Sequence, residues 1–472
     1  MSDNAPALLK TGFEDPAFRR VRNRNWLVLG FLYAAFYMSR YNFAAVMTNL
    51  AGTFGWTNTD LGIFETAMPL IYGLSVVFNG PIADRIGGRK AFLFGAIGVV
   101  VMNFLFGECI TFVDVPAVVT GKGHDAHVVT AAVLKHGFQP RTLLLLMAAI
   151  WGVNGYFQSF GALSIVKVNA QWFHVRERGT FAGIFGVLIR FGLILAFSAV
   201  PAIATVLPLQ YAFWIPGTAV AVLFVLNYLF MRDSPLDAGF SDLDTGDAQG
   251  VSDGKPSSLG FVLKTVFASP VTWTIALGSM MIGMVRRSTI DSWYPKYFKE
   301  IHLGDASASL ASYAPYQTAA WGIALMGIAG GFAFGIASDR VFKGRRAPVV
   351  FFGFAGMAVI LGLFGLVDRA GGGPWGAALF LPVLSVFVNG AHAMIGGAAS
   401  MDFGGRKAAA TAAGLFDGMQ YLASSLVGIG MGYTLDHWGW KAWQFVPIPF
   451  AVVGALLMTR IWSAVPKGRS AH

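Results

Sequence analysis

The chain has 472 residues, of which 55% are hydrophobic and only 12% are charged. A soluble globular domain has about 25% charged residues, so this composition excludes a soluble protein and predicts one embedded in a lipid bilayer. The net charge of +10 does not require nucleic acid, because basic residues beside membrane spans can face anionic lipid. The single cysteine, Cys109, excludes an intramolecular disulfide and a cysteine-rich metal cluster.

Twelve apolar runs along the chain are long enough to cross a membrane as helices. The hydrocarbon core of a bilayer is about 30 Å thick and needs about 20 helical residues. The sequence therefore predicts an all-α membrane protein with twelve transmembrane helices. The runs cover residues 26–50, 60–79, 91–112, 142–166, 180–206, 211–231, 268–293, 308–336, 347–367, 375–398, 408–432 and 442–463.

The apolar pattern stops between Arg232 and Ser258, where Asp, Gly, Ser and Pro replace it. This composition is typical of a mobile linker, and it divides the runs six and six. Most basic residues then fall on one side, which the positive-inside rule assigns, with both termini, to the cytoplasmic face of the inner (plasma) membrane. The predicted parts are a cytoplasmic segment 1–25, a six-helix bundle 26–231, a cytoplasmic linker 232–265, a second six-helix bundle 266–463 and a cytoplasmic tail 464–472.

A similar loop follows the second run of each half, which suggests an internal repeat. The first loop contains Gly80-Pro-Ile-Ala-Asp84-Arg85 and Gly88-Arg89-Lys90, and the second contains Gly335-Ile-Ala-Ser-Asp339-Arg340 and Gly344-Arg345-Arg346. The pattern Gly-x-x-x-Asp-Arg-x-Gly-x-Arg resembles the signature of the major facilitator superfamily. That resemblance implies two pseudo-symmetric six-helix bundles. It also implies gating loops that contain Asp84, Arg85, Asp339 and Arg340, for which an ordinary polar turn is the alternative.

Four further stretches resemble the organophosphate:inorganic phosphate antiporters, the family of glycerol-3-phosphate and hexose-phosphate transporters. They are Tyr37-Met-Ser-Arg40-Tyr-Asn42-Phe43, Asp60-Leu-Gly with Tyr72-Gly, Arg287-Ser-Thr-Ile-Asp291-Ser-Trp293-Tyr-Pro295, and Arg406-Lys407 through Tyr421 to Gly439-Trp440. The resemblance implies exchange of an organophosphate for phosphate. Val76 and Arg190 depart from the family pattern, which leaves the identity of the organic anion open.

Arg40 and Arg287 lie in the middle of apolar runs, one in each half. A charged side chain near the bilayer centre costs about 2.5–3.5 kcal/mol on insertion scales, so it normally lines a cavity or has a partner. If the halves pack about a pseudo-twofold axis, the two guanidinium groups converge, and their planar forks match phosphate oxygens bidentately. The alternative is a structural salt bridge, which for Arg287 could involve Asp291. Only one of Arg286 and Arg287 can face the cavity squarely, and we expect Arg287 to do so.

Other polar residues within the runs complete the predicted site. Asn389 and His392 share one helix face at i, i+3. Either Glu65 or Asp417 could carry a coupling proton, or each could simply pair with an arginine. The predicted substrate contacts are Arg40, Arg287, Tyr72, Asn42, Asn389, His392 and Tyr421, and the predicted coupling or charge-balancing residues are Glu65, Arg190, Arg286, Asp291 and Asp417.

The sequence contains no recognisable nucleophile, metal-ligand set or nucleotide-binding loop. We therefore expect neither an enzyme nor an ATP-driven pump, and no metal or cofactor. The predicted function is a monomeric secondary active transporter of a small organic anion, most plausibly an organophosphate exchanged for inorganic phosphate by alternating access. Two alternatives stay open: a proton- or sodium-coupled carboxylate symporter of the same fold, and a non-transporting organophosphate sensor.

Overall fold

A computed structural model describes residues 15–120, 127–174, 186–241, 269–303 and 309–464; within these ranges, the side chains of residues 77, 81, 84, 136, 170 and 397–413 are not described. The predicted linker 232–265 is thus described only as far as residue 241. The resemblance at Arg406 and Lys407 concerns side chains outside the described set.

Among the described residues, seven helices lie before the predicted linker, in what we call the N-terminal half. They are α1 Pro16–Ala45, α2 Met47–Phe54, α3 Asn58–Ile86, α4 Gly88–Ile110, α5 Pro140–Trp172, α6 Gly186–Val206 and α7 Tyr211–Phe230. A π-helical stretch, Leu195–Ala199, interrupts α6. Such stretches are rare and often occur at functional sites.

Eight helices lie after the linker in the part of the chain that the structure describes, in what we call the C-terminal half. They are α8 Pro270–Ser288, α9 Tyr294–Tyr297, α10 Ala314–Ile336, α11 Arg346–Arg369, α12 Gly373–His392, α13 Ser400–Trp438, α14 Trp440–Trp443 and α15 Ile448–Arg460. π-helical turns follow α9, α10 and α12, at Phe298–Leu303, Ala337–Val341 and Ala393–Ala399.

The helical class predicted from the sequence is confirmed, and each predicted run lies at a helical segment wherever the structure describes it. Eight helices among the described residues are long and apolar enough to cross a membrane. The predicted runs in α1, α3, α8 and α13 are outside that set. These four helices carry Arg40, Glu65, Arg287 and Asp417, and charged side chains lower the apolar character of a helix.

Several predicted runs are not single helices; the twelfth, 442–463, is divided between α14 and α15. The first, 26–50, is broken at Val46, whose backbone leaves the helical region at φ −117° and ψ 16°. Just before the break, the Asn42 side chain accepts the Phe43 amide at 3.0 Å, and such bonds compete with the helical ladder. The seventh, 268–293, stops at Ser288, where the hydroxyls of Ser288 and Thr289 both bond back to the Val285 carbonyl.

Short strands in the loop between α4 and α5 were not predicted and correct the all-α expectation locally. They are β1 Val113–Val115, β2 Val118–Thr120, β3 His127–Thr130 and β4 Val133–Leu134. β1 pairs with β4 and β2 with β3, both antiparallel. Valine-rich segments favour this conformation. The amide of Ala117 donates to the Thr53 carbonyl at 3.1 Å, so the strands lie beside α2. We call this end of the bundle the strand end.

Helices α3 and α13 come from different halves and lie in direct backbone contact. A Cβ added at Gly428 would lie 2.5 Å from the Thr66 nitrogen, and one at Gly432 would lie 2.2 Å from the Asn58 oxygen. Glycine therefore permits this approach, as small residues do at helix crossings in membranes. The crossing brings Glu65 of α3 towards the C-terminal half.

Candidate anion-binding site

Arg40 of α1 is a buried cation, 3% exposed, with neutral hydrogen-bond partners. Its Nε and Nη2 donate to Gln158 Oε1 at 3.3 and 3.2 Å, and its Nη1 donates to the Tyr421 hydroxyl at 3.1 Å. The guanidinium carbon lies 4.7 and 4.8 Å from the ring centroids of Tyr37 and Tyr72, within cation–π range. Since Tyr421 belongs to α13, Arg40 lies between the two halves.

Tyr72 and Tyr421 meet across the same interface. Their ring centroids are 4.2 Å apart with an interplanar angle of 40°. The structure therefore brings together three residues predicted for substrate contact, Arg40, Tyr72 and Tyr421. Aromatic faces and a hydroxyl hold the guanidinium in place without neutralising its charge.

Arg190 of α6 is a second cation with a neutral partner. Its Nη2 donates to Asn389 Oδ1 at 2.5 Å, and the Asn389 amide donates onward to the Ser385 carbonyl and hydroxyl at 3.1 and 2.8 Å. His392, one turn along α12, has its Nδ1 2.9 Å from Gln420 Oε1. Asn389 thus contacts Arg190 of α6, and His392 contacts Gln420 of α13.

Arg287 of α8 forms an ion pair with Glu65 of α3, with Nη2 2.7 Å from Oε2. The same carboxylate oxygen accepts the Ser292 hydroxyl at 2.5 Å. Both charged residues are buried, at 6% and 1% exposure. The Nε of Arg287 has no hydrogen-bond acceptor among the described residues. This pair joins the two halves.

Arg286 pairs with Asp291, with Nε 2.7 Å from Oδ2. Tyr41 from the other half donates its hydroxyl to the same Asp291 oxygen at 3.3 Å and lies 3.4 Å from Arg286 Nη2. The alternative pairing of Arg287 with Asp291 is therefore not formed. Each of these neighbouring arginines is matched with its own acid.

The distribution of charge is uneven. Of the four intramembrane arginines, Arg286 and Arg287 have carboxylate partners, whereas the hydrogen bonds of Arg40 and Arg190 go to neutral acceptors. Asp417, half-buried on α13 one turn before Tyr421, makes no hydrogen bond or ion pair within the described part of the chain. A buried cation without a counter-ion is costly. A small anion bound between the halves would lower that cost.

Asn42 lies apart from this group. Its amide donates to Asn103 Oδ1 at 3.0 Å and to the Ala212 carbonyl at 3.2 Å. These contacts join α1 to α4 and α7, all in the N-terminal half. In this structure Asn42 therefore takes part in helix packing, and its substrate contact stays a prediction.

The predicted gating loops lie at the end of the bundle opposite the strands. Arg85, Asp339 and Arg340 are exposed, and Asp339 pairs with Arg346 at 3.0 Å; the Asp84 side chain is outside the described set. In the first loop, the backbone amide of Arg89 donates to Oδ1 of Asp233, a residue that follows α7, at 2.6 Å. Asp233 thereby caps the start of α4.

Several residues of the site were missed by sequence reasoning. They are Tyr37, Tyr41, Gln158, Ser292 and Gln420. Gln158 and Gln420 are polar residues inside apolar runs, and that signal could have identified them. Ser292 and Tyr41 carry no comparable signal because hydroxyl groups are common in packed helices. Within the described ranges, no group of three or more His, Cys, Asp or Glu residues could hold a metal ion.

Comparison with known proteins fits this architecture. The sequence profile of the Major Facilitator Superfamily matches residues 29–331. A glycerol-3-phosphate transporter of Bacillus subtilis (strain 168) is 25% identical, covering 95% of this chain and 94% of its own. The membrane sensor protein UhpC of Salmonella typhimurium is also 25% identical, covering 96% of this chain and 95% of its own.

Among solved structures, the xylose transporter XylE from E. coli superposes with a TM-score of 0.64 at 13% identity, covering 94% of this chain and 100% of that one. At this identity the likeness concerns the fold alone. The prediction that the chain is not an enzyme is confirmed by relatives that are transporters and a membrane sensor. With most of its length matched by the superfamily profile and two helical halves around a central site, the chain belongs to the Major Facilitator Superfamily.

Proposed function

We propose that this protein is a secondary active transporter that exchanges a small organophosphate for inorganic phosphate by alternating access. One observation carries the proposal: the buried guanidinium of Arg40 lies between the halves, and its hydrogen bonds and ring contacts among the described residues are to the neutral groups of Gln158 and Tyr421 and to tyrosine rings. An anionic substrate would supply the missing charge. Similarity to a glycerol-3-phosphate transporter supports a phosphate-bearing anion.

Arginine suits phosphate better than lysine does. Its planar fork offers parallel N–H donors that stay charged at any physiological pH and engage two oxygens at once. In the proposed complex, Arg40 and Arg287 bind the phosphate from opposite halves, with Arg190 as the third cation. Tyr72 and Tyr421 orient Arg40, while Asn389 positions Arg190 and Gln420 positions His392.

Alternating access requires that substrate stabilise one arrangement of the halves more than another. We propose that bundles 26–231 and 266–463, joined by the linker 232–265, move as units about the Arg40 site. Both termini are assigned to the cytoplasm by the positive-inside rule, and the protein works as a monomer in the inner (plasma) membrane. Downhill phosphate efflux then drives organophosphate uptake.

Counterflow in proteoliposomes tests the proposal. Vesicles loaded with phosphate are expected to take up labelled phosphate, and external organophosphates are screened as competitors. Arg40→Lys is expected to lower the rate at least tenfold, because the point charge of lysine cannot replace the bidentate fork. Arg141→Lys, at an exposed surface pair with Asp60, is the matched control and keeps wild-type exchange. Wild-type counterflow by Arg40→Lys would refute bidentate recognition.

A proton- or sodium-coupled carboxylate symporter is the second candidate, favoured by Asp417. This half-buried carboxylate makes no hydrogen bond or ion pair in the described part of the chain, and in this candidate function it is the group that takes up the coupling cation. Uptake that follows a proton or sodium gradient, ignores internal phosphate and is lost in Asp417→Asn would select this function.

An organophosphate sensor is the third candidate, favoured by the similarity to a membrane sensor protein. A sensor needs ligand binding but no turnover. Saturable phosphate or organophosphate binding to the purified protein, without any counterflow in vesicles, would select it.

A further inference from the structure

The ion pair between Glu65 and Arg287 has three properties in combination. Its members come from different halves, both are buried, and their charged atoms are 2.7 Å apart. We propose that Glu65 is an internal substitute for the substrate anion: it occupies Arg287 and ties the halves together at the strand end until a dianionic substrate displaces it. This inference rests on the proposed function and assigns Glu65 a role in it.

The geometry at Arg287 leaves room for exchange of partners. Glu65 engages the guanidinium through one oxygen, Oε2, which it shares with the Ser292 hydroxyl. The Nε of Arg287 has no hydrogen-bond acceptor among the described residues, and the residue as a whole is only 6% exposed. An anion with several oxygens can therefore satisfy more of the Arg287 fork than Glu65 does.

Glu65 also lies next to a row of hydrogen bonds between α3 and α13. Next to Glu65, the Thr66 hydroxyl donates to the Ser425 carbonyl at 2.7 Å and accepts the Ile429 amide at 3.0 Å. Towards the strand end, Asp436 of α13 holds the start of α3. The contacts in this row join neutral groups or cap a helix. Beside this row, Glu65 of α3 pairs with Arg287 of α8, and an incoming anion can compete directly for that charged contact.

The chemical class of the displacing ligand follows from the charges. Moving Arg287 from Glu65 to a monoanion exchanges one negative partner for another and leaves Glu65 buried without a counter-ion. A dianion that binds Arg287 and Arg40 together brings a second negative charge, which compensates the buried positive charge of Arg40. Phosphate monoesters and inorganic phosphate are therefore expected to release the tie, and chloride is not.

The neighbouring pair provides a matched control. Arg286 and Asp291 have the same charges and a nitrogen–oxygen distance of 2.7 Å, but both belong to the C-terminal half. Removing the Asp291 charge disturbs the electrostatics of the site without cutting an ion pair between halves. The Asn side chain in Asp291→Asn can still accept the Tyr41 hydroxyl.

The test measures phosphate affinity together with separation across the strand end. Spin labels are placed at exposed positions in the two halves, Val206→Cys and Trp375→Cys, in a Cys109→Ser background, and the protein is reconstituted in nanodiscs. In the parent, phosphate lengthens the separation and chloride does not. In Glu65→Gln, the long separation is present without ligand and the phosphate Kd falls at least tenfold. Asp291→Asn keeps the parental separation.

Glu65→Asp retains the charge on a shorter side chain, so its affinity and separation fall between those of the parent and Glu65→Gln. This second variant keeps the test decisive if Glu65→Gln is unstable. An unchanged or weaker phosphate affinity in Glu65→Gln, with the short separation retained, overturns the inference while parental counterflow still supports exchange. Absence of phosphate counterflow in the parent overturns the proposed function instead. The separation of the two labels without ligand reports whether the Glu65–Arg287 tie is formed, whether or not the protein exchanges phosphate.

Discussion

Asp436 of the C-terminal half caps a helix of the N-terminal half, with its Oδ2 2.7 Å from the backbone nitrogen of Thr59. The same carboxylate accepts the Thr59 hydroxyl at 2.6 Å and the backbone and side-chain nitrogens of Asn58 at 3.0 and 2.8 Å. A carboxylate at a helix N-terminus satisfies free amides and complements the helix dipole. The strand end is therefore closed by a helix cap that is made between the halves.

Removal of this cap is expected to open the strand end. In Asp436→Ala, the label separation across the strand end should lengthen and the first turn of α3 should exchange amide hydrogens faster, because four hydrogen bonds are lost together. Asp60→Ala is the matched control. Asp60 lies in the same turn, but its partners Thr57 and Arg141 belong to the same half, so this variant should fray α3 without changing the separation. Equal opening by both variants would contradict the prediction.

Gln158 is expected to set the orientation in which Arg40 binds an anion. Gln158→Leu removes the acceptor of two guanidinium nitrogens, so Arg40 loses its fixed orientation and the phosphate Kd should rise about tenfold, near the 1–3 kcal/mol cost of an unsatisfied buried polar group. Gln158→Glu should weaken binding further, because the new carboxylate neutralises Arg40. Isothermal titration of the purified variants measures both. Tighter phosphate binding by Gln158→Glu would be incompatible with an anion site at Arg40.

Asn42 is expected to affect stability and not affinity. Asn42→Ala removes three buried hydrogen bonds and leaves Asn103 Oδ1 without its donor, which should lower the free energy of unfolding by about 1–3 kcal/mol. The thermal midpoint should fall while the phosphate Kd stays within about twofold of the parental value. A tenfold loss of affinity at an unchanged midpoint would instead support the substrate contact that the sequence resemblance implies.

Asp233 is expected to make stability depend on pH. Burial raises the pKa of its carboxyl, while the hydrogen bond from the Arg89 amide opposes the shift. The folded state therefore holds this proton more tightly than the unfolded state. Its stabilising contribution is complete below the ordinary Asp pKa and is lost as pH rises through the raised value.

Asp233→Asn cannot ionise, so the parent should lose thermal stability relative to this variant as pH rises through that window. Asp233→Ala should be less stable than both at neutral pH, by about 0.5–2 kcal/mol, because the first turn of α4 loses its cap. Thermal unfolding of the three proteins is measured from about pH 4, near the ordinary Asp pKa, up to about pH 7. A difference between parent and Asp233→Asn that does not vary with pH would rule out this titration.

The helices could be predicted well because a membrane span is a local property. A run of about 20 apolar residues must form a helix in a bilayer to satisfy its own backbone hydrogen bonds. The structure departs from the predicted continuous helices where side chains compete with the backbone for hydrogen bonds, as at Asn42 before the break at Val46. The valine-rich strands beside α2 escaped prediction because runs of two to four residues carry too weak a pattern.

The sequence by itself determined the membrane class, the helical fold and the positions of the charged residues within the apolar runs, because hydrophobicity, periodicity and charge are read along the chain. Only the tertiary structure decided which acid meets which arginine. Glu65 pairs with Arg287 and Asp291 with Arg286, while Arg40 keeps neutral partners. Coulomb interactions between buried groups depend on separations of a few ångströms, and the crossing of α3 with α13 sets those separations between residues far apart in the chain.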